Sequence, residues 1–348
     1  MNLKSKLIFL SIYFVSISVF SQNYWSPDES MKIKSISQTD ISNDGKRVAY
    51  VVRESIMERK KSEYISQIWV TNVDTKENTQ YTFNSKSSNS PKFSPDGKKI
   101  AFLSSRSGKN QIWIINTLGG EPRKVTEEKK GVSSIQWSPD GKNISFLKSD
   151  DDTEEETKSK EDKTDVILVD KNFKYSHIYT YSFLEDTVHQ ITKGSFTVNN
   201  YNYSPNGKKI IFSHQEDTNI NTGFINTDIS IIDSNGDNLK NLVIRPGLDS
   251  NPIFSGDGKK FAFISSGGNE EPIGLRDVHI YNLKDNKIVK LSNTPNRDSR
   301  IVSWTTDNKM LIISENIKTT SQLLLLPVNG DNYISWSLIN YNEGVITS

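Results

Sequence analysis

The 348-residue chain has no cysteine, which excludes disulfides, thiolate nucleophiles, cysteine-ligated zinc and cysteine lipid anchors together. Histidine is nearly as scarce. The four present, His177, His189, His214 and His279, stand too far apart for the three-to-five-residue spacing of a helical or finger ligand pair, so the sequence assigns no metal site and no cofactor. Excess charge is missing too: 43 Lys and Arg face 42 Asp and Glu, a net of +1, which gives no electrostatic case for a nucleic-acid partner. Beyond the amino terminus there is no long apolar run, and a hydrophobic content of 34% argues against a multispanning membrane protein.

What is present begins with that terminus. Lys4 and Lys6 precede a mostly apolar run from Leu7 to Phe20, with Val19 and Ser21 at minus three and minus one before Gln22. This pattern predicts a cleavable signal peptide over 1–21 and an exported chain, periplasmic or secreted, beginning near Gln22. As a helix the apolar run spans about 21 Å, short of the roughly 30 Å hydrocarbon core, so no membrane span is expected after cleavage.

The rest of the chain is repetitive. Phe93-Ser94-Pro95-Asp96-Gly97-Lys98-Lys99-Ile100-Ala101-Phe102 recurs at Trp137–Phe146 and Tyr203–Phe212, and in weaker form at Ile41–Tyr50, Phe254–Phe263 and Trp304–Ile313. The turn residues Gly45, Gly97, Gly141, Gly207, Gly258 and Asn308 lie 52, 44, 66, 51 and 50 residues apart. Pro presets φ for the first turn position and Gly supplies the left-handed residue that closes the turn, so each copy reads as a hairpin. The nearly continuous apolar run that follows suits a strand covered on both faces.

A second strand pair follows each first one, opened by Gln67-Ile68-Trp69-Val70, Gln111-Ile112-Trp113-Ile114, His177-Ile178-Tyr179-Thr180, Asp228-Ile229-Ser230-Ile231, Val278-His279-Ile280-Tyr281 and Gln322-Leu323-Leu324-Leu325. Two hairpins per unit make a four-stranded antiparallel blade, and six such units predict an all-β propeller over 22–348. The expected blades lie near 40–83, 84–128, 129–194, 195–244, 245–293 and 294–338. The long interval has a visible cause in 149–165, read as an inserted surface loop carrying Asp150, Asp151, Asp152, Glu154, Glu155 and Glu156. It lacks the glycine and ligand spacing of a calcium loop.

Tandem aromatic-Ser-Pro-Asp-Gly-Lys repeats followed by Ile-Trp or Ile-Tyr strands resemble the WD40-like PD40 repeats of TolB-like proteins and of the prolyl oligopeptidase family of serine peptidases. The segment from Trp25 to Lys34 is similar to the lead-in of exported acylaminoacyl-peptidase and dipeptidyl-peptidase-like members. That resemblance implies a propeller that gates or contacts peptide substrates ahead of an α/β-hydrolase domain holding a Ser, Asp and His triad. Here no G-x-S-x-G elbow is found: Gly131-Val132-Ser133-Ser134-Ile135 begins correctly but has Ile135 in the second glycine's place. No catalytic residue is therefore assigned, and any enzymatic role rests on the resemblance.

The terminal Gly344-Val345-Ile346-Thr347-Ser348 aligns with Gly131–Ile135, so 339–348 reads as the start of a further, seventh blade. The expected function is the non-catalytic propeller portion of such a peptidase, its partners peptide substrates and a hydrolase domain missing from the sequence. The alternative is a self-contained six-bladed module of the TolB kind that binds a protein partner. The turn carboxylates Asp96, Asp140 and Asp257 are explained by turn geometry, and Trp69, Trp113, Trp137 and Trp304 by packing between blades.

Overall fold

The computed structural model describes residues 26–58, 61–164, 173–270 and 274–336; the expected signal peptide and the expected start of a further blade lie outside the described residues. Ser26 accepts a hydrogen bond from the Glu29 N–H and caps a short helix, α1 (Pro27–Met31). Among the described residues the strands form six four-stranded antiparallel groups, called sheets 1 to 6, the fourth and fifth of them joined into one continuous sheet. Sheet 1 is β1 (Ser35–Ile41), β2 (Arg47–Glu58), β3 (Lys61–Asn72) and β4 (Asn78–Gln80), and sheet 2 is β5 (Ser88–Phe93), β6 (Lys99–Ser104), β7 (Gln111–Asn116) and β8 (Arg123–Lys124). Sheet 3 is β9 (Ser133–Trp137), β10 (Asn143–Ser149), β11 (Ser176–Ser182) and β12 (Thr187–Gln190), with α2 (Glu154–Glu161) between β10 and β11. Sheet 4 is β13 (Thr197–Tyr203), β14 (Lys209–Gln215), β15 (Asn226–Asp233) and β16 (Lys240–Val243), with α3 (Thr222–Ile225) before β15. Sheet 5 is β17 (Gly247–Phe254), β18 (Lys260–Ser265), β19 (Asp277–Asn282) and β20 (Lys287–Lys290), and sheet 6 is β21 (Arg300–Trp304), β22 (Met310–Ile317), β23 (Thr320–Pro327) and β24 (Ile334–Trp336). Sheets 4 and 5 are further joined by a two-residue parallel bridge, Asn226 to Gly247 and Thr227 to Leu248.

The repeated turn is held by its own side chains. Ser94 Oγ donates to Asp96 Oδ1 at 2.6 Å and accepts from the Lys99 N–H at 2.9 Å, while Asp96 Oδ1 accepts from the Lys98 N–H at 3.0 Å. The same set recurs at Ser42/Asp44, Ser138/Asp140, Ser204/Asn206, Ser255/Asp257 and Thr305/Asp307. Those bonds hold the Asp96 carboxyl below its usual pKa; a carboxylate so engaged is a structural brace. The turn glycine is called for by the backbone: Gly141 has φ +70°, a conformation that other residues rarely adopt, while the space beside Pro95 of the preceding sheet would admit a Cβ at ordinary contact distance, 3.5 Å.

Successive sheets stack face to face, and the apolar alternation says which face meets which neighbour. Counting from the turn glycine, Ala49 and Val51 of sheet 1 share a cluster with Ile100 and Phe102 of sheet 2. Ala101 and Leu103 turn the other way, onto Ile144 and Phe146 of sheet 3. The rule repeats between sheets 3 and 4, 4 and 5, and 5 and 6. Covered on both sides, the second strands of sheets 2 to 5 are buried almost without alternation, as at Phe261-Ala262-Phe263-Ile264-Ser265.

The end sheets differ from the expectation of two-sided cover. On β22 burial alternates, with Leu311 and Ile313 at 0% exposure and Ile312 between them only half-buried. Sheet 1 shows the mirror image: Ala49 and Val51 are buried while Val48, Tyr50 and Val52 are half-buried. Ile41 occupies the repeat position where Phe93, Trp137, Tyr203, Phe254 and Trp304 each meet the preceding sheet, and it is 62% exposed. Among the described residues nothing packs on these two faces as a buried cluster.

Two smaller readings also change. The acidic insertion holds a helix, α2, whose Thr153 and Glu156 form a reciprocal capping box, and three of its acids are paired: Asp151 with Lys148, Asp152 with Lys130 and Lys160, and Glu156 with Lys174. In sheet 5 the third strand is offset by one residue, since Phe263 pairs with His279 as Phe102 pairs with Trp113; Asp277, not Val278, is the counterpart of Gln111.

Candidate functional site

Chain direction places the Ser-Pro-Asp-Gly turns at one end of every sheet, and the second-to-third-strand connections together with the sheet-to-sheet connections at the other. That second end carries Gln215, Asp228, Asp249, Asp277 and Glu315, which are polar or ionisable groups outside the repeated turn. Its connections differ in length from sheet to sheet, whereas the turn end repeats one geometry, so this is the end where a ligand would find distinct chemistry.

A groove of about 550 Å³ opens here on sheet 4, lined by Thr197, Asn199, Gln215, Thr218, Asn219, Ile220, Gly223 and Phe224. Gln215 organises it: its Oε1 accepts from Asn199 Nδ2 at 3.0 Å and its Nε2 donates to the Asn219 carbonyl at 3.1 Å. A Cβ at Gly223 would lie 2.8 Å from Gln215 Oε1, so glycine lets α3 close on that amide. Ile220 and Phe224 are exposed at its edge. Neutral amides beside exposed apolar side chains suit an uncharged extended backbone rather than a compact ion.

Beside the groove lies a charged cluster. Asp249 is fully buried and accepts a bidentate pair from Arg245, Nε to Oδ2 at 2.8 Å and Nη2 to Oδ1 at 2.9 Å, and Arg245 Nη2 also donates to Ser265 Oγ at 2.7 Å. Asp228 has its pKa pushed up to about 6, chiefly by burial, with the nearby Asp249 and Glu216 charges adding to it and a hydrogen bond from the Arg245 N–H opposing. Asp277 is held below the usual carboxylate range by hydrogen bonds from Arg297 and Lys290 that outweigh its burial. In sheet 6, Glu315 is buried and accepts from Thr294, Ser299 and the Asn296 and Asp298 N–H groups.

One pair needs testing as a nucleophile and base, because His214 Nε2 lies 2.8 Å from Ser230 Oγ. Three observations exclude that role. Ser230 is 1% exposed, so a substrate carbonyl has no access. Its hydroxyl donates to Asn241 Oδ1 at 2.9 Å, so the serine proton is directed away from the imidazole. Burial among Phe196 and Phe212 pushes the His214 pKa down to about 4, and the shift has no carboxylate contribution that would orient the ring as in a triad. The near-elbow at Gly131 runs into strand β9, not a helix, and the Ser134 carbonyl is an acceptor for the buried Tyr201 hydroxyl.

Of the tryptophans weighed from sequence, Trp113, Trp137 and Trp304 pack between sheets, but Trp69 does not: it pairs with Tyr50 on the face of sheet 1 where, among the described residues, no preceding sheet packs. Trp137 and Trp304 donate their indole N–H to the Lys92 and Ile253 carbonyls of the preceding sheets, each at 3.0 Å. Trp113 stacks under Arg106, its centroid 4.7 Å from the guanidinium carbon. Missed in the sequence were the clasps Gln67–Thr82, Gln111–Thr126 and His177–Thr192, in which the threonine also accepts the N–H of the following isoleucine, Ile68, Ile112 or Ile178. Their signal was available as an apolar residue followed by Thr, fourteen positions after that isoleucine. Among the described residues no group of three or more His, Asp or Glu is placed to hold a metal ion.

Comparison with known proteins gives this geometry its kin. Residues 63–166, from β3 into the insertion, match the model of the Tricorn protease N-terminal beta propeller domain. Dipeptidyl-peptidase 5 of Trichophyton equinum is 23% identical over 156 residues, 42% of this chain and 22% of that protein. The chain is a β-propeller related to the propeller regions of peptidases. Among solved structures, the propeller superposes on the acylaminoacyl peptidase of Pyrococcus horikoshii with a TM-score of 0.65 at 19% identity, covering 87% of this chain and 47% of that one. It shares the fold of a TolB from Agrobacterium tumefaciens with a TM-score of 0.51 at 18% identity, covering 74% and 80%. The aligned stretches span 12% and 22% of the first two curated relatives, both peptidases by name.

Proposed function

We propose that this chain is the non-catalytic propeller portion of an exported serine peptidase of the prolyl oligopeptidase family, contacting or gating peptide substrates while the bond is cut on a separate α/β-hydrolase domain. The observation that carries the reading is a conjunction. Residues 63–166 match the model of a protease's propeller domain, and the Ser–His contact at His214 is a buried pair whose serine proton is held by Asn241. The sheet 4 groove is the place for peptide contact, since its free edge offers apolar contact from Ile220 and Phe224 beside amide dipoles. The amino-terminal pattern over 1–21 supports export.

Calorimetric titration of the full chain with an unstructured decapeptide, followed by mass spectrometry of the recovered peptide, tests this. The expected result is saturable heat and an intact peptide. Cleavage by the chain alone, or binding to a folded protein with no heat from any peptide, overturns it, the latter in favour of a TolB-like module.

A further inference from the structure

Arg106 is a half-buried cation with no carboxylate in ion-pair distance among the described residues. It follows the end of β6, on the face of sheet 2 that meets sheet 1 and at the end opposite the turns. Its guanidinium lies over two aromatic rings, 4.7 Å from the Trp113 centroid and 5.5 Å from that of Phe102. Two hydroxyls hold it: Nε donates to Ser104 Oγ at 3.1 Å and Nη2 to Ser88 Oγ at 3.2 Å. Both serines are fully buried, and their protons point away, Ser88 to Ser104 and Ser104 to the Ser87 carbonyl, so their lone pairs face the arginine.

The contrast with neighbouring cations is internal to the molecule. Lys148 meets Glu128 at 2.7 Å, Arg245 meets Asp249 at 2.8 Å and Arg297 meets Asp277 at 2.6 Å. Arg106 has no carboxylate within ion-pair distance among the described residues, and burial lowers its pKa with only the Glu121 charge opposing. The Trp113 indole N–H, in the ring beneath it, is buried without an acceptor among the described residues, unlike those of Trp137 and Trp304. A guanidinium has five donors in one plane; two are used here, and those two hydrogen bonds with the Trp113 contact hold the group while the rest remain to be offered.

We propose that Arg106, braced by Ser88 and Ser104 over the Trp113 ring, is a receptor for a carboxylate carried by a peptide ligand. The planar fork matches a carboxylate in two parallel hydrogen bonds, and the site supplies a positive charge that no carboxylate pairs directly among the described residues. The peptide source rests on the function proposed above; the carboxylate chemistry rests on Arg106 alone.

The test is calorimetry on the full chain with three probes: N-acetyl-tetra-alanine as free acid, the same peptide as C-terminal amide, and propionate. The free acid is expected to bind at least about tenfold tighter than the amide, Arg106→Gln to abolish the preference, and Arg106→Lys, which keeps the charge but loses the fork, to retain part of it. Circular dichroism melts of both variants establish that they fold, and Arg106→Lys carries the comparison if Arg106→Gln does not. Equal binding of acid and amide by the unsubstituted chain, or an undiminished preference in Arg106→Gln, overturns the inference. Arg106-dependent binding of propionate with neither peptide bound upholds the carboxylate site and overturns the peptide reading. Binding of none of the three overturns both.

Discussion

Ile312 and Ile313 are neighbours on one strand, chemically identical, and alanine at each position weighs the two faces of sheet 6 against each other. Ile313 is fully buried in the cluster shared with sheet 5, whereas Ile312 points to the face where no such cluster forms. Truncating a buried isoleucine costs about 2–5 kcal/mol, the lost transfer energy plus the cavity left behind. A half-buried one loses part of the transfer energy and leaves no enclosed cavity, about 1 kcal/mol. Sheet 4 supplies the control, because Ile210 and Ile211 are both at 0% exposure and belong to clusters on opposite faces. Alanine at either should therefore cost as much as Ile313→Ala. Urea denaturation followed by tryptophan fluorescence, with m-values compared so that only midpoint shifts are read as stability, measures all four. If Ile312→Ala costs as much as Ile313→Ala, the face is covered and the reasoning fails. A cost that grows with protein concentration identifies the cover as a second copy.

Other predictions follow the same logic. Asp249→Asn strands Arg245 beside a buried amide and should cost about 3 kcal/mol or more in the same assay; a loss under 1 kcal/mol contradicts the buried ion pair. Asn308 has φ +58°, where glycine is usually the better residue, yet its Oδ1 accepts from the Gly256 N–H of the preceding sheet at 2.6 Å. Asn308→Gly should therefore fail to stabilise, and a raised melting temperature would show that bond to be worthless. For pH, His214 has a folded pKa of about 4 against about 6.5 unfolded, so its stability contribution is present above pH 6.5 and is lost as pH falls toward 4. Asp228, raised from 3.8 to about 6, acts the other way: its contribution is present below pH 3.8 and is lost as pH rises through 6. His214→Phe keeps the aromatic packing and should remove roughly one proton from the acid slope between pH 6.5 and 4; an unchanged slope would show that His214 is already charged in the fold.

The turns and the strand order were legible because Ser, Pro, Asp and Gly act locally: each turn closes on its own side chains, within five residues. The direction in which each strand faces was also written in the alternation, since odd and even positions after the glycine meet different neighbours. What the alternation could not say is whether a neighbour is there. Ile211 and Ile312 occupy the same repeat position and read alike, but one lies under sheet 5 and the other under no buried cluster. Of the site, Arg106 looks in sequence like an ordinary loop cation after Ser104-Ser105, because its distinction lies in what is absent around it in space. The Gln–Thr clasps were missed for a different reason: they join residues fifteen apart across a strand and a connection, a spacing that hairpin periodicity does not search. The His214–Ser230 pair, cross-strand in origin, is likewise visible only once β14 and β15 are in register.

The central claim is that these sheets contribute contacts and no nucleophile. Labelling the full chain with a fluorophosphonate serine probe, with a Ser230→Ala variant alongside, tests it most directly. The account predicts no incorporation into either protein. Stoichiometric labelling of the unsubstituted chain, lost in Ser230→Ala, would contradict it.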